Sequence, residues 1–171
     1  FTNATLITAE SAKLFSRYRP FMIEVSMYGF SKHTYKLVTT RGESFYDTLN
    51  GIDLLKTYNI PFQIKMPVLN INKDDLAKVK KFADSLKVAF RYDPIIHPRI
   101  NGDMLPYQYS LSPKEIGMMD RIHSNLQITT CDNTRGRSLF KKKKQIYFTC
   151  GAGMNFFSID PYGKLKLCML S

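Results

Sequence analysis

Two hydrophobic periods take turns along residues 9–96. At 21–28 the side chains alternate one by one, with Phe21, Ile23, Val25 and Met27 opposite Met22, Glu24, Ser26 and Tyr28. At 62–69 the same alternation sets Phe62, Ile64, Met66 and Val68 against Gln63, Lys65, Pro67 and Leu69. At 88–96 it sets Val88, Phe90 and Tyr92 against Ala89, Arg91 and Asp93. Period two marks a strand whose two faces meet different surroundings. Between these stretches apolar residues recur at helical spacing. Residues 9–19 put Leu14, Phe15 and Tyr18 on one side. Ser44 caps a helix carrying Phe45, Leu49, Ile52 and Leu55, and Asn72 caps another carrying Leu76, Val79, Phe82 and Leu86. This βαβαβ order predicts an α/β fold with a parallel sheet.

The polar side of these strands is the informative one. A parallel sheet covered on both sides is apolar on both faces, yet here one face repeats charge: Glu24, Ser26, Gln63, Lys65, Arg91 and Asp93. The amphipathic helices need the apolar face. The polar face therefore lines either the lumen of a closed barrel, which makes it a binding cavity, or the open side of a two-layer sheet. Buried charges persist where partners or ligands compensate them. Glu24, Lys65, Arg91 and Asp93 are the substrate or cavity candidates on this reasoning.

Downstream the pattern changes. Residues 97–111 read as a long loop. Ser112-Pro113-Lys114-Glu115 is a helix start, with a capping Ser, Pro at the first position and Glu at the third, and the helix should run to about residue 126. Residues 130–145 are polar and basic, a linker. Asp160-Pro161-Tyr162-Gly163 suits a type I turn, with hairpin arms at 156–160 and 164–169. The expected division is 1–111, 112–145 and 146–171.

Charge and cysteine content narrow the picture further. The formal net charge of +11 draws four charges from Lys141 to Lys144, which reads as a solvated loop. No basic platform interleaved with aromatics points to nucleic acid. No apolar run approaches the ~20 residues of a membrane-spanning helix. No charged segment followed by an apolar stretch opens the chain, so a cytoplasmic protein without membrane partners is expected. Cys131, Cys150 and Cys168 form neither a disulfide framework nor a C-x-x-C zinc pair.

Two stretches carry a family resemblance. Thr2-Asn3-Ala4-Thr5 resembles a strand end that usually reads Thr-Asn-Gly-Thr. Cys150-Gly-Ala-Gly, then Ile159-Asp-Pro-Tyr-Gly163, then Cys168 resembles the opening of a SPASM-type domain. Twelve residues separate Cys150 from Gly163 and four separate Gly163 from Cys168. Together the two stretches resemble one family, radical S-adenosylmethionine (radical SAM) enzymes with a C-terminal auxiliary iron–sulfur domain. The segment Glu24-Val25-Ser26-Met27-Tyr28-Gly29 resembles the fourth barrel strand, Thr39 to Phe45 the turn after it, and Arg91-Tyr92-Asp93-Pro94 the sixth strand.

The resemblance implies the C-terminal part of a partial (β/α)6 TIM-like barrel, its third to sixth strands, followed by a helix and a small β-hairpin. It implies that Ser26 and Arg41 contact S-adenosylmethionine and that Cys150 and Cys168 are metal ligands of a [4Fe-4S] cluster, since thiolates hold such clusters. In intact form the enzyme would cleave S-adenosylmethionine to a deoxyadenosyl radical that abstracts hydrogen from a peptide or small-molecule substrate, supplied with electrons by a donor. The three-cysteine run of the activating cluster is missing from the sequence, as are the later auxiliary-cluster cysteines. This chain is thus expected to be an internal piece, inactive alone, with neither cofactor bound. The alternative is a non-catalytic, barrel-derived binding module for an anionic peptide or nucleotide.

Overall fold

The computed structural model describes residues 1–99, 101–122, 157–160 and 162–167. They fall into two compact units, one formed by residues 1–97 with 106–122, the other by 98–105 with the C-terminal stretch.

The first unit carries the α/β pattern. Strands β1 (Ile23–Ser26), β2 (Phe62–Pro67) and β3 (Phe90–Asp93) form a parallel sheet in that order. Thr2 adds a parallel bridge to Val25 along the outer side of β1. Helices α1 (Ala9–Arg17), α2 (Lys32–Thr39), α3 (Ser44–Thr57) and α4 (Leu76–Leu86) fill the connections, and α5 (Pro113–Ile122) follows. The core lies on the apolar face of the sheet, where Val25, Met27, Ile64, Met66, Val68 and Tyr92 are buried with Ile52, Leu55 and Val79 of α3 and α4. The apolar parity of β2 is complete: buried and half-buried residues alternate without a break.

Several local expectations need correction. In α1 the buried side is Ala12, with Phe15 packed on the core; Leu14 and Tyr18 are exposed. Phe21 precedes β1 and is 97% exposed, so the strand face begins at Ile23. Helix α2 escaped the periodicity reading because Thr34, Val38 and Thr39 are β-branched and only Thr34 and Tyr35 are buried. It starts at a Ser31 cap whose hydroxyl accepts from the Thr34 amide at 3.0 Å. Asn72 does not cap α4: a 3₁₀ turn at Lys73–Asp75 intervenes, and the Asn72 side chain points elsewhere. Residues 97–111 are not all loop, since Leu105–Tyr109 form a second 3₁₀ turn.

Helix α5 starts as its sequence requires. Glu115 accepts from the Ser112 amide and hydroxyl at 2.8 and 2.7 Å, and Ser112 in turn accepts from the Glu115 amide. In the second unit β4 (Ser158–Ile159) pairs antiparallel with β5 (Leu165–Lys166). Asp160 organises the reversal: its carbonyl accepts from Gly163 N, and its carboxylate accepts from Tyr162 N and Lys164 N, each at 2.9 Å. Gly163 sits at φ +78°, a value glycine adopts without strain. Phe156, Pro161, Cys168 and Met169 lie outside the described residues.

Candidate ligand-binding site

The strand register puts the charged residues on one face. Glu24 pairs with Gln63, Ser26 with Lys65, Lys65 with Arg91 and Pro67 with Asp93. Paired residues of neighbouring strands point the same way, so Glu24, Ser26, Lys65, Arg91 and Asp93 share a side. Within it the charges are matched across strands. The Arg91 guanidinium donates to both oxygens of Glu24 at 2.6 Å, a bidentate pair, and the Gln63 amide donates to the same carboxylate. Glu24 is 6% exposed, so this three-strand clamp satisfies a buried charge. Lys65 and Asp93 pair at 3.0 Å closer to the carboxyl ends of the strands, both half-buried, and Asp93 also accepts from the Ile95 amide. Carboxyl ends of parallel strands are where α/β sheets bind ligands.

At that same end of the sheet lies a cavity of about 200 Å³, lined by Asn3, Thr5, Tyr28, Tyr35, Thr39, Arg41, Ser44 and Thr48. Its lining is one guanidinium, one carboxamide and six hydroxyls. Arg41 is paired only at the surface, with Asp47 at 3.0 Å, an interaction worth about 0–1 kcal/mol and easily exchanged. The Tyr35 hydroxyl is buried and makes no hydrogen bond of normal geometry. The adjacent Thr48 hydroxyl shares its one proton between the carbonyls of Asn3 and Ser44 at 3.0 and 2.8 Å. Burial pushes the phenols of Tyr28 and Tyr35 above their ordinary range, so both stay neutral donors. The Thr5, Thr39 and Ser44 hydroxyls, like that of Thr48, donate inward, to Asn3 Oδ1 and to the carbonyls of Tyr35 and Arg41. That leaves the Arg41 guanidinium, the Asn3 amide and the two phenols as donors, a set that fits a carboxylate or a hydroxylated ring. At this size the cavity encloses part of a drug-sized ligand rather than the whole. A larger groove of about 520 Å³ runs beside α1, lined by Thr8, Glu10, Ser11, Lys13, Leu14 and Arg17. All belong to one helix and its cap, and a single wall encloses nothing.

The cavity walls follow from local sequence. Ala4 turns the chain at φ +62°, where a non-glycine residue is strained, and is fully buried against α3. Gly51 makes that contact possible, since a Cβ there would stand 2.1 Å from the Ala4 carbonyl oxygen. On the opposite side Tyr28 meets Tyr35 edge to face at 5.8 Å, and Tyr35 packs at a tilt of 56° on Phe45 at 5.3 Å.

Of the expected cofactor contacts, Arg41 lines the cavity, while Ser26 lies on the sheet face beside Lys65 and is not part of the lining. Asn3, Thr5, Tyr35 and Thr48 were not among the sequence candidates. For Asn3 and Thr5 the Thr-Asn-x-Thr resemblance was the available clue; Tyr35 and Thr48 sit on helical faces that read as core. The metal candidates Cys150 and Cys168, and Cys131 too, lie outside the described residues. Among the described residues no group of three or more His, Cys, Asp or Glu could hold a metal ion. Among them, too, no helix is long and apolar enough to cross a membrane.

No protein-family model matches the chain, and no curated protein does. Solved structures do. Native anSMEcpe with bound AdoMet and Cp18Cys peptide is similar at a TM-score of 0.52 and 23% identity, covering 72% of this chain and 37% of that one. A hexahistidine-tagged anSMEcpe with bound AdoMet gives a TM-score of 0.48 and 26% identity, covering 66% of this chain and 31% of that one. anSMEcpe is a radical SAM/SPASM-type enzyme. The first likeness is one of fold. The chain spans little more than a third of the length of that structure.

Proposed function

We propose that this chain is part of a radical SAM enzyme that modifies a peptide, and that the sheet belongs to a partial (β/α)6 barrel. The observation that carries the reading is the coincidence of two independent features. The fold is similar to that of anSMEcpe with bound AdoMet and peptide. The Thr2-Asn3-Ala4-Thr5 and Arg41 segments, singled out by resemblance alone, meet in one donor-lined cavity at the carboxyl end of the sheet.

In this reading Arg41, with Asn3 and Thr5 beside it, holds the charged end of AdoMet, and Ser26 contacts it from the sheet face. The cofactor supplies the deoxyadenosyl radical; the protein supplies binding and orientation. Burial keeps the Tyr28 and Tyr35 phenols protonated. They can therefore donate to a ligand oxygen without adding negative charge beside it. The Glu24–Arg91–Gln63 clamp is satisfied internally and holds the strands in register. The Lys65–Asp93 pair, half-buried at the carboxyl end, is left to face the peptide.

The test uses the longest reading frame that contains this chain, reconstituted anaerobically with iron and sulfide and supplied with AdoMet and a strong reductant. Formation of 5′-deoxyadenosine is expected. A protein that takes up iron and sulfide stoichiometrically yet forms none overturns the reading and favours the binding module.

A further inference from the structure

The parallel ladder between β1 and β2 ends where Met27 N donates to the Lys65 carbonyl at 2.8 Å. Beyond it the backbone of 28–30 runs on into α2, and its buried polar groups need partners. Two side chains of one short segment supply them. The Asn72 amide donates to the carbonyls of Tyr28 and Pro67 at 2.9 and 3.0 Å, so one nitrogen ties the ends of both strands together. The Asn72 oxygen accepts from Leu69 N at 2.7 Å, which fixes the side chain's orientation. The Asp75 carboxylate accepts from Phe30 N at 2.9 Å and from the Thr34 hydroxyl at 2.6 Å, and pairs with Lys78 at 2.7 Å. Asn72 and Asp75 are 2% and 5% exposed.

Between the two anchored backbone groups lies Gly29. A Cβ there would stand 2.4 Å from the Thr34 methyl and 2.9 Å from the Asp75 carboxylate. Anchored on both sides, the 28–30 segment has little room to shift. Phe30 packs on Phe45 and Phe82 at 5.9 and 5.3 Å, and Tyr28 is left projecting into the cavity wall. We propose that Asn72 and Asp75 are positioning residues: through the carbonyl of Tyr28 and the amide of Phe30 they set where the Tyr28 ring stands in the ligand cavity. The geometry holds whatever ligand the cavity takes; its use with AdoMet rests on the function proposed above.

A spectroscopic test on this chain separates positioning from general support. Tyrosines are replaced by 3-fluorotyrosine, and the ¹⁹F lines of Tyr28 and of Tyr92, buried on β3, are assigned with Tyr28→Phe and Tyr92→Phe. Asn72→Asp is the informative variant, because it keeps the acceptor for Leu69 and loses the donor to Tyr28 and Pro67. Because Asn72→Asp also sets a buried carboxylate against two carbonyls, Asn72→Ala, which removes donor and acceptor without adding charge, is measured beside it. In Asn72→Asp the Tyr28 line is expected to shift or split while the Tyr92 line stays in place, and Asp75→Ala is expected to do the same with loss of exchange protection at the Phe30 amide. A Tyr28 line unmoved in folded Asn72→Asp overturns the proposal. So do Tyr28 and Tyr92 lines moving together, which would report general loosening. Addition of AdoMet to the wild-type protein is read on the same Tyr28 line. A missing response counts against the AdoMet reading alone and leaves the comparison of variants standing.

Discussion

On one side of the cavity the 3–5 segment is held by contact. Ala4 is wedged against α3, and Gly51 admits its backbone with no room to spare. On the other side the 28–30 segment is held by hydrogen bonds reaching across more than forty residues of chain, from Asn72 to Tyr28 and from Asp75 to Phe30. The first wall depends on shape, which neither pH nor salt changes. The second depends on donors and acceptors, which fail one at a time. Both walls are tight; they differ in what holds them, packing on one side and a set of separable hydrogen bonds on the other.

The sharpest way to break this contrast is a pair of glycine substitutions. Gly51→Ala drives a Cβ to 2.1 Å from a backbone oxygen that cannot move without shifting the strand end. A loss of about 3 kcal/mol is expected, at the upper end of the usual cost of overpacking. Gly29→Ala meets side-chain atoms rather than backbone, the Thr34 methyl and Cβ at 2.4 and 2.7 Å and the Asp75 carboxylate at 2.9 Å, and a smaller loss of about 2 kcal/mol is expected. Urea denaturation of the two variants measures the difference. Equal losses would mean that both walls are limited by backbone and that the contrast is false.

The same contrast explains what the sequence could reveal. Strand parity was legible because period two depends only on local alternation, and the shared face of Glu24, Lys65 and Arg91 followed from it. The faces of α3 and α4 were legible for the same reason. Helix α2 was not, because its β-branched residues hide the period. Asn72 was read as a helix cap because caps and long-range hydrogen bonds use the same residue types. Only the fold shows that its acceptors are Tyr28 and Pro67. Arg41 was reached through resemblance, whereas Tyr35 and Thr48 gave no local sign of lining a cavity. Leu14 and Tyr18 misled because an apolar residue at helical spacing need not be inside.

Acid is the next lever, and it acts on one wall only. Lys73, in the turn between Asn72 and Asp75, pairs with Glu115 at 2.5 Å. Hydrogen bonds from Lys73 and from the hydroxyl and amide of Ser112 hold the Glu115 carboxyl down to about 2, against an ordinary 4.5. Burial pushes Asp75 up, but the hydrogen bonds from Lys78, Phe30 N and Thr34 outweigh it and leave its pKa lowered. A depressed folded-state value means stabilisation present above the unfolded value and lost as pH falls through the folded one. For Glu115 that window runs from about 4.5 down to about 2. Melting temperature should therefore fall across it in the wild type and fall less in Glu115→Gln. Identical slopes would remove Glu115 from the hydrogen-bonded wall.

The smallest expected effect is also the most discriminating. Ala4 holds φ +62°, which costs an L-residue about 1–2 kcal/mol. Ala4→Gly relieves that strain. It also adds about 0.4–1 kcal/mol of unfolded-chain entropy and removes a buried methyl worth about 0.8 kcal/mol. The terms nearly cancel, so stability should stay within about 0.5 kcal/mol of wild type. The information lies in combining it with Gly51→Ala. Ala4→Gly removes the methyl that the new Cβ would meet at 2.9 Å, but leaves the carbonyl oxygen at 2.1 Å and its carbon at 3.0 Å. Most of the clash therefore persists, and a double-mutant cycle should give a coupling below about 1 kcal/mol. Full rescue by Ala4→Gly would show that this wall, too, is limited by a side chain. The distinction from the Tyr28 side, where a side-chain methyl is the first obstacle, would then disappear.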